Sequence, residues 1–178
     1  MIVKTKRKLF LRYIVHSEVK NVKKWITILI VFVVILVGVF VKVYITAREP
    51  LKAAEKKAVA IAEKKASLAK VTSFHLYHGL ETVDVIEGTN KKGENIVIWI
   101  PEKTKQVIVK NAKSGLSKAD AIKKLLQEKN PKKIVSVRLG MEKNIPFWEI
   151  YYLSDNNLIN YYYVHFQTGE WLKKIENL

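Results

Sequence analysis

The chain contains no cysteine among its 178 residues. That excludes a disulfide framework, a thiolate metal site and a lipidated or palmitoylated cysteine, so any exported part must be held together by packing alone. Seven glycines and four prolines are too few for low-complexity or collagen-like segments. The glycines are expected at turns, or, for Gly38, inside an apolar run. No Gly-x-Ser-x-Gly elbow is present. The segment Gly88-Thr89-Asn90-Lys91-Lys92-Gly93 lacks the Gly-Lys-Ser/Thr ending of a phosphate loop, and it lies between two strand-like stretches. A hairpin turn is the better reading. Acids are also scarce: 16 Asp and Glu face 32 Lys and Arg, for a net charge of +16.

What the chain does have is a long apolar run. Trp25 to Val41 is seventeen residues without a charge, and beyond Lys42 the run continues to Ile45. A helix over residues 25–45 is about 30 Å long, the hydrocarbon thickness of a bilayer. A buried core helix apolar on every face is too large for a domain of this size. A cleaved signal peptide would be shorter and followed by small residues, which Ile45-Thr46-Ala47 match poorly. An uncleaved transmembrane helix is therefore expected. Lys23, Lys24, Trp25, Lys42 and Tyr44 are its candidate membrane-interface anchors, by snorkelling for the lysines and aromatic-belt placement for the rings.

Charge sets the expected orientation. Residues 1–24 hold eight Lys and Arg against one acid, Glu18, which marks them as a cytoplasmic basic tail. Residues 46–178 would then lie outside the cytoplasm, with 23 basic and 15 acidic residues. A basic domain in the cytoplasm suggests nucleic acid, but this topology removes that partner. Wall polyanions and anionic lipid remain as possible contacts, alongside the simpler reading of ordinary solvated lysines.

The outer part reads as the same pattern twice. Pro50 is expected to break the preceding helix and open a new one from Leu51 to about Ala69, with Leu51, Ala54, Ala58, Ile61, Ala62 and Ala69 as its apolar stripe. Four strands follow, at Val71–Tyr77, Thr82–Glu87, Asn95–Ile100 and Lys105–Val109, joined by short turns. Ser117 and Asp120 form a capping signature for a second helix running to about Lys129, with Ala121, Ile122, Leu125 and Leu126 on one face. Four more strands are expected at Lys133–Leu139, Pro146–Leu153, Leu158–Phe166 and Glu170–Ile175, with turns at Gly140, Ser154–Asn157 and Thr168-Gly169. The fold class is α+β: a transmembrane helix, then two units over 46–113 and 114–178, each one helix on a four-stranded antiparallel meander.

Catalytic chemistry is not assembled by any spacing. His75 and His78 are an odd number apart, which on a strand points them to opposite faces, and His16 and His165 are distant from both. No metal, cofactor or enzymatic activity is expected. Glu149 is the one acid set in a strongly aromatic strand, where an interface role is the commoner explanation. In 146–153 and 158–166 both strand faces are apolar or aromatic, and one helix covers only one face. The other face packs on the first unit or meets a partner protein. Phe147, Trp148, Tyr151, Tyr161 and Tyr163 are the candidate partner-interface residues, because such rings combine large contact area with polar tips.

The run FHLYHGLETVDVIEGTNKKGENIVIWIP, the helix SKADAIKKLLQEKNP and the ending YYYVHFQTGEWLKKI resemble the TseB-like (YpmB) family of cell wall elongation regulators of Gram-positive bacteria. The resemblance runs from the membrane segment to the C-terminus. The ending, with its Thr168-Gly169-Glu170 turn, also resembles PepSY modules. The resemblance implies two cystatin-like domains anchored at the cell membrane, and a partner that is a penicillin-binding transpeptidase of the elongation machinery. It implies no catalytic residues. Two alternatives stay open: a PepSY-type extracytoplasmic protease inhibitor, and a module that binds wall polyanions.

Overall fold

A computed structural model describes residues 2–178, with side chains from residue 23 onward. The basic side chains of the expected tail before Lys23, and His16, lie outside the described residues. The chain divides into two compact units, Met1–Pro50 and Leu51–Leu178. Helix α1 (Ile2–Lys65) starts in the first and ends in the second. Its stretch from Lys23 is long and apolar enough to cross a membrane by length and composition. Trp25, Phe32 and Phe40 are all more than half exposed, a surface suited to lipid and not to water.

Pro50 does not open a new helix, as the sequence suggests, but lies inside α1. A proline there forfeits a backbone bond and costs about 3 kcal/mol. The alanine- and lysine-rich segment that follows, residues 51–65, supplies strong propensity on its C-terminal side. The helix also ends earlier than Ala69. Ser67 takes a left-handed φ of 54°, and Leu68 already belongs to the first strand.

The second unit contains two four-stranded antiparallel sheets in simple sequential order. The first comprises β1 (Leu68–His78), β2 (Thr82–Asn90), β3 (Asn95–Pro101) and β4 (Ile108–Asn111). Helix α2 (Lys118–Glu128) leads to the second: β5 (Lys133–Glu142), β6 (Ile145–Leu153), β7 (Ile159–His165) and β8 (Trp171–Ile175). Local chemistry explains the connections. Asn90 Oδ1 accepts from the backbone N–H groups of Lys92 (2.9 Å) and Glu94 (3.0 Å), and Gly93 supplies φ 81°. Ser117 and Asp120 make the expected capping box. Strand β4 begins later than Lys105 because Lys105 itself takes φ 52° in the turn.

Two glycines expected in turns lie within strands. Gly88 sits in β2, where a Cβ would come within 2.3 Å of the Lys70 carbonyl oxygen on the bulged β1. Gly140 sits in β5. The turn after β5 is instead made by Lys143 and Asn144, both left-handed (φ 49° and 63°), as a two-residue hairpin requires.

Each sheet is covered by its own helix. Ala58 and Ala62 of α1 pack with Leu68, Ile86, Ile96, Ile98 and Ile100, so the alanine stripe lets the helix lie close to the first sheet. Ala121 and Leu125 of α2 are fully buried against the second sheet, while Leu126 is exposed. We call the end of α1 with β1–β4 the first lobe, and α2 with β5–β8 the second. The opposite face of the first sheet, with Tyr77, Val83, Val85, Val97 and Trp99, joins the core of the second lobe. Strands β2 and β3 are therefore largely buried on both faces, which explains the unbroken apolar run Ile96–Ile100 of β3.

Asp84 is the buried charged residue of β2, 8% exposed. Burial raises its pKa, and Lys105 only partly opposes the shift. A carboxyl whose folded pKa exceeds its unfolded value costs stability once ionised, and that cost disappears as pH falls. Asp84→Asn is expected to raise the melting temperature at neutral pH. The gain should shrink as pH falls towards the ordinary carboxylate range near about 4. Unfolding curves of both proteins across that range check it; a constant difference would contradict the assignment.

Candidate functional site

The two lobes meet around one side chain. Tyr77, near the end of β1, is 1% exposed and lies edge-on to Phe147 of β6, with centroids 5.5 Å apart and planes at 82°. Its hydroxyl donates to Glu149 Oε2 at 3.1 Å. Arg138 Nε donates to the other carboxylate oxygen at 2.6 Å, and the Arg138 guanidinium also lies 5.5 Å from the Tyr77 ring centre. Glu149 is 3% exposed, so it needs both partners to be tolerated as an ion. Gly140 makes the arrangement possible. A Cβ there would lie 2.7 Å from ring atoms of both Tyr77 and Phe147.

Burial, and then the negative charge of Glu149, push the hydroxyls of Tyr77 and Tyr163 well above the ordinary tyrosine range. Both stay protonated at any physiological pH, so Tyr77 remains a donor. The three histidines with described side chains also have structural partners. His75 Nε2 donates to the Leu139 carbonyl (2.8 Å), and His78 Nδ1 lies 3.3 Å from Thr82 Oγ1. His165 Nδ1 accepts from the N–H groups of Gln167 (3.2 Å) and Thr168 (3.0 Å). Among the described residues no group of three or more His, Asp or Glu is placed to hold a metal ion.

The five residues marked by the sequence as a partner interface separate into two sets. Phe147, Trp148 and Tyr163 are buried. Phe147 packs between Tyr77 and Tyr163; Trp148 Nε1 donates to the Leu116 carbonyl at 2.9 Å; and Tyr163 lies beneath Lys173 Nζ, 4.4 Å from its ring centre. They serve internal packing, because the first lobe and α2 take the faces they occupy. Tyr151 and Tyr161 remain only partly buried, at the uncovered end of the sheet face that also carries Phe147 and Tyr163. Their rings stack at 5.2 Å with planes 19° apart, and Tyr161 is followed by Tyr163 at 6.4 Å and 24°. The cross-strand row runs Ser136, Tyr151, Tyr161, Ile175, the last 39% exposed.

At the other end of the chain, Lys23, Lys24, Trp25, Lys42 and Tyr44 are all exposed on α1. Arg48 adds a contact not anticipated as an anchor: Nη1 donates to the Tyr44 hydroxyl at 2.9 Å, and its guanidinium lies 5.5 Å from that ring centre. The i, i+4 spacing was the available signal. For Tyr77, Arg138 and Gly140 no local signal existed, because their partners are distant in sequence.

Two substitutions test the node. Tyr77→Phe keeps the ring and removes the hydroxyl, and should cost about 1–2 kcal/mol in urea unfolding. Gly140→Ala should cost about 1–3 kcal/mol through overpacking, although alanine ordinarily suits a strand better than glycine. A neutral or stabilising Gly140→Ala would contradict the packing.

Comparison with known proteins agrees with this architecture. Residues 57–101 match the family profile described as the cell wall elongation regulator TseB-like domain, and residues 115–175 match the peptidase propeptide and YPEB (PepSY) domain. The probable cell wall elongation regulator TseB of Bacillus subtilis (strain 168) is 32% identical over 157 residues, covering 86% of this chain and 98% of that one. The solved structure of the YpmB protein from Bacillus subtilis superposes with a TM-score of 0.65 at 35% identity, covering 68% of this chain and 95% of that one. The identity and coverage together show that this chain belongs to the TseB-like family.

Proposed function

We propose that this chain is a membrane-anchored regulator of cell wall elongation, with its two lobes outside the cytoplasm, and that it docks a penicillin-binding transpeptidase. The B. subtilis relative's designation as a probable cell wall elongation regulator supports the process. The apolar stretch of α1 from Trp25 to Ile45 supports the anchor, and the basic residues before it support a cytoplasmic N-terminus. The observation that carries the docking is the stacked pair Tyr151–Tyr161, at the end of a sheet face whose other aromatic residues are already packed.

Stacked, partly exposed tyrosines offer rigid contact area at low entropic cost, which is why such rings recur at the centres of protein interfaces. Anchoring both proteins in one membrane raises their effective concentration, so a modest interface suffices. The buried node bears on the same role. It fixes the second sheet against the first lobe, so the tyrosine face is presented on a rigid support.

The test is affinity purification of the full chain from membranes in mild detergent. A penicillin-binding transpeptidase should be enriched with the unaltered protein. The Tyr151→Ala/Tyr161→Ala double variant should lose at least about tenfold of that enrichment with an unchanged melting temperature. Cells lacking the gene should differ in width or length, and the double variant should fail to restore them. Equal enrichment by both proteins would move the interface elsewhere, and no enriched wall synthase would sink the docking proposal.

A further inference from the structure

Beside the node, the two lobes part to form a cleft of about 460 Å³. Its origin is visible in the inner face of the first sheet. The cross-strand rows Tyr77–Val83 and His75–Val85–Trp99 meet the second lobe through Phe147, the Leu139 carbonyl and Phe166. The next row is Ser73–Glu87–Val97. Closing it would bury a carboxylate against Val137 and Trp148 without a partner, which is costly. Glu87 and Ser73 therefore line an opening where apolar residues would have continued the seam.

The walls carry opposite charge. Glu87 stands on the first lobe, and Lys118 and Arg138 stand on the second. Among the described residues neither Glu87 nor Lys118 is in an ion pair, and Arg138 binds Glu149 through Nε, leaving its terminal nitrogens. The first-turn amide of Asp120 is taken by the Ser117 cap, so attraction for an anion falls to these two side chains. The floor between the walls is apolar, with Val97, Trp148 and Phe166. The volume is in the range of small-ligand sites, roughly 300–1,000 Å³.

We propose that this cleft binds a short ampholytic peptide, its amine towards Glu87, its terminal carboxylate towards Lys118 and Arg138, and its small apolar side chains on the floor. The charge arrangement disfavours a polyanion, which would meet Glu87, and a simple cation, which would meet Arg138. Choosing the stem peptide of a wall building block among such peptides rests on the function proposed above; the ampholyte preference does not.

The experiment is isothermal titration of the full chain in detergent micelles with the pentapeptide L-Ala-γ-D-Glu-L-Lys-D-Ala-D-Ala. Binding with Kd of about 1 mM or tighter is expected. Acetylating the lysine amine, or amidating the C-terminus, should each weaken it at least about fivefold. Glu87→Gln should abolish the penalty for acetylation, and Lys118→Ala should reduce the penalty for amidation. Both side chains line the cleft rim, so melting temperatures should be unchanged. No heat up to about ten times that concentration would overturn the proposal, as would binding indifferent to both variants. Equal binding of the all-L peptide Ala-Glu-Lys-Ala-Ala would keep the ampholyte site and overturn the stem-peptide assignment. Loss of synthase capture is read by purification, so failure of transpeptidase docking is distinguished from failure here.

Discussion

The placement of Tyr77 over Gly140 is the constraint on which the rest of the second unit depends. A large ring from the first lobe rests on backbone of the second, where any side chain at position 140 would collide with it. The ring contributes its apolar area, roughly 1.5–3 kcal/mol for a side chain of this kind. Its hydroxyl also completes the coordination of a carboxylate that burial would otherwise penalise. Glu149, Arg138 and Tyr77 are therefore interdependent. Removing the carboxylate would leave two donors seeking water, and removing either donor would leave a buried charge short of partners. Such a node adds geometric specificity more surely than net stability, because it fixes how two small sheets meet.

That geometry decides which surfaces remain available. The seam consumes Phe147 and Tyr163 directly, and α2 with Leu116 consumes Trp148. Two of the features left open bear on function. One is the stacked Tyr151–Tyr161 face of the second sheet. The other is the wedge where Glu87 keeps the lobes apart. A small chain without disulfides must use most of its aromatic residues for its own core. The few left outside are correspondingly informative.

Much of the fold was legible in the sequence because its signals are local. The apolar run 25–45, the period-two strands, the Ser117–Asp120 cap and the Thr168-Gly169 turn each act within a few residues. Pro50 misled because a single breaker was taken to end one helix and open another, whereas α1 runs through it into the strong helix formers of 51–65. Gly140 misled for a different reason. A glycine in a strand is required there by Tyr77, sixty-three positions earlier in the sequence, and only the assembled lobes reveal that requirement. Burial among the candidate interface residues was not legible. Alternation showed two aromatic faces on β6 and β7, but not how far along the face of Phe147, Tyr151, Tyr161 and Tyr163 the first lobe would reach, since that lies in long-range packing.

The central claim is that the open tyrosine face meets a wall synthase outside the membrane. Photo-crosslinking in living cells tests it most directly, with a benzophenone amino acid placed at Tyr161 and, as a control, at Lys124 on the opposite, α2-covered side of the second lobe. The account predicts a crosslink from position 161 to a penicillin-binding transpeptidase and none from position 124. Equal crosslinking from both positions, or a product from position 124 alone, would contradict it.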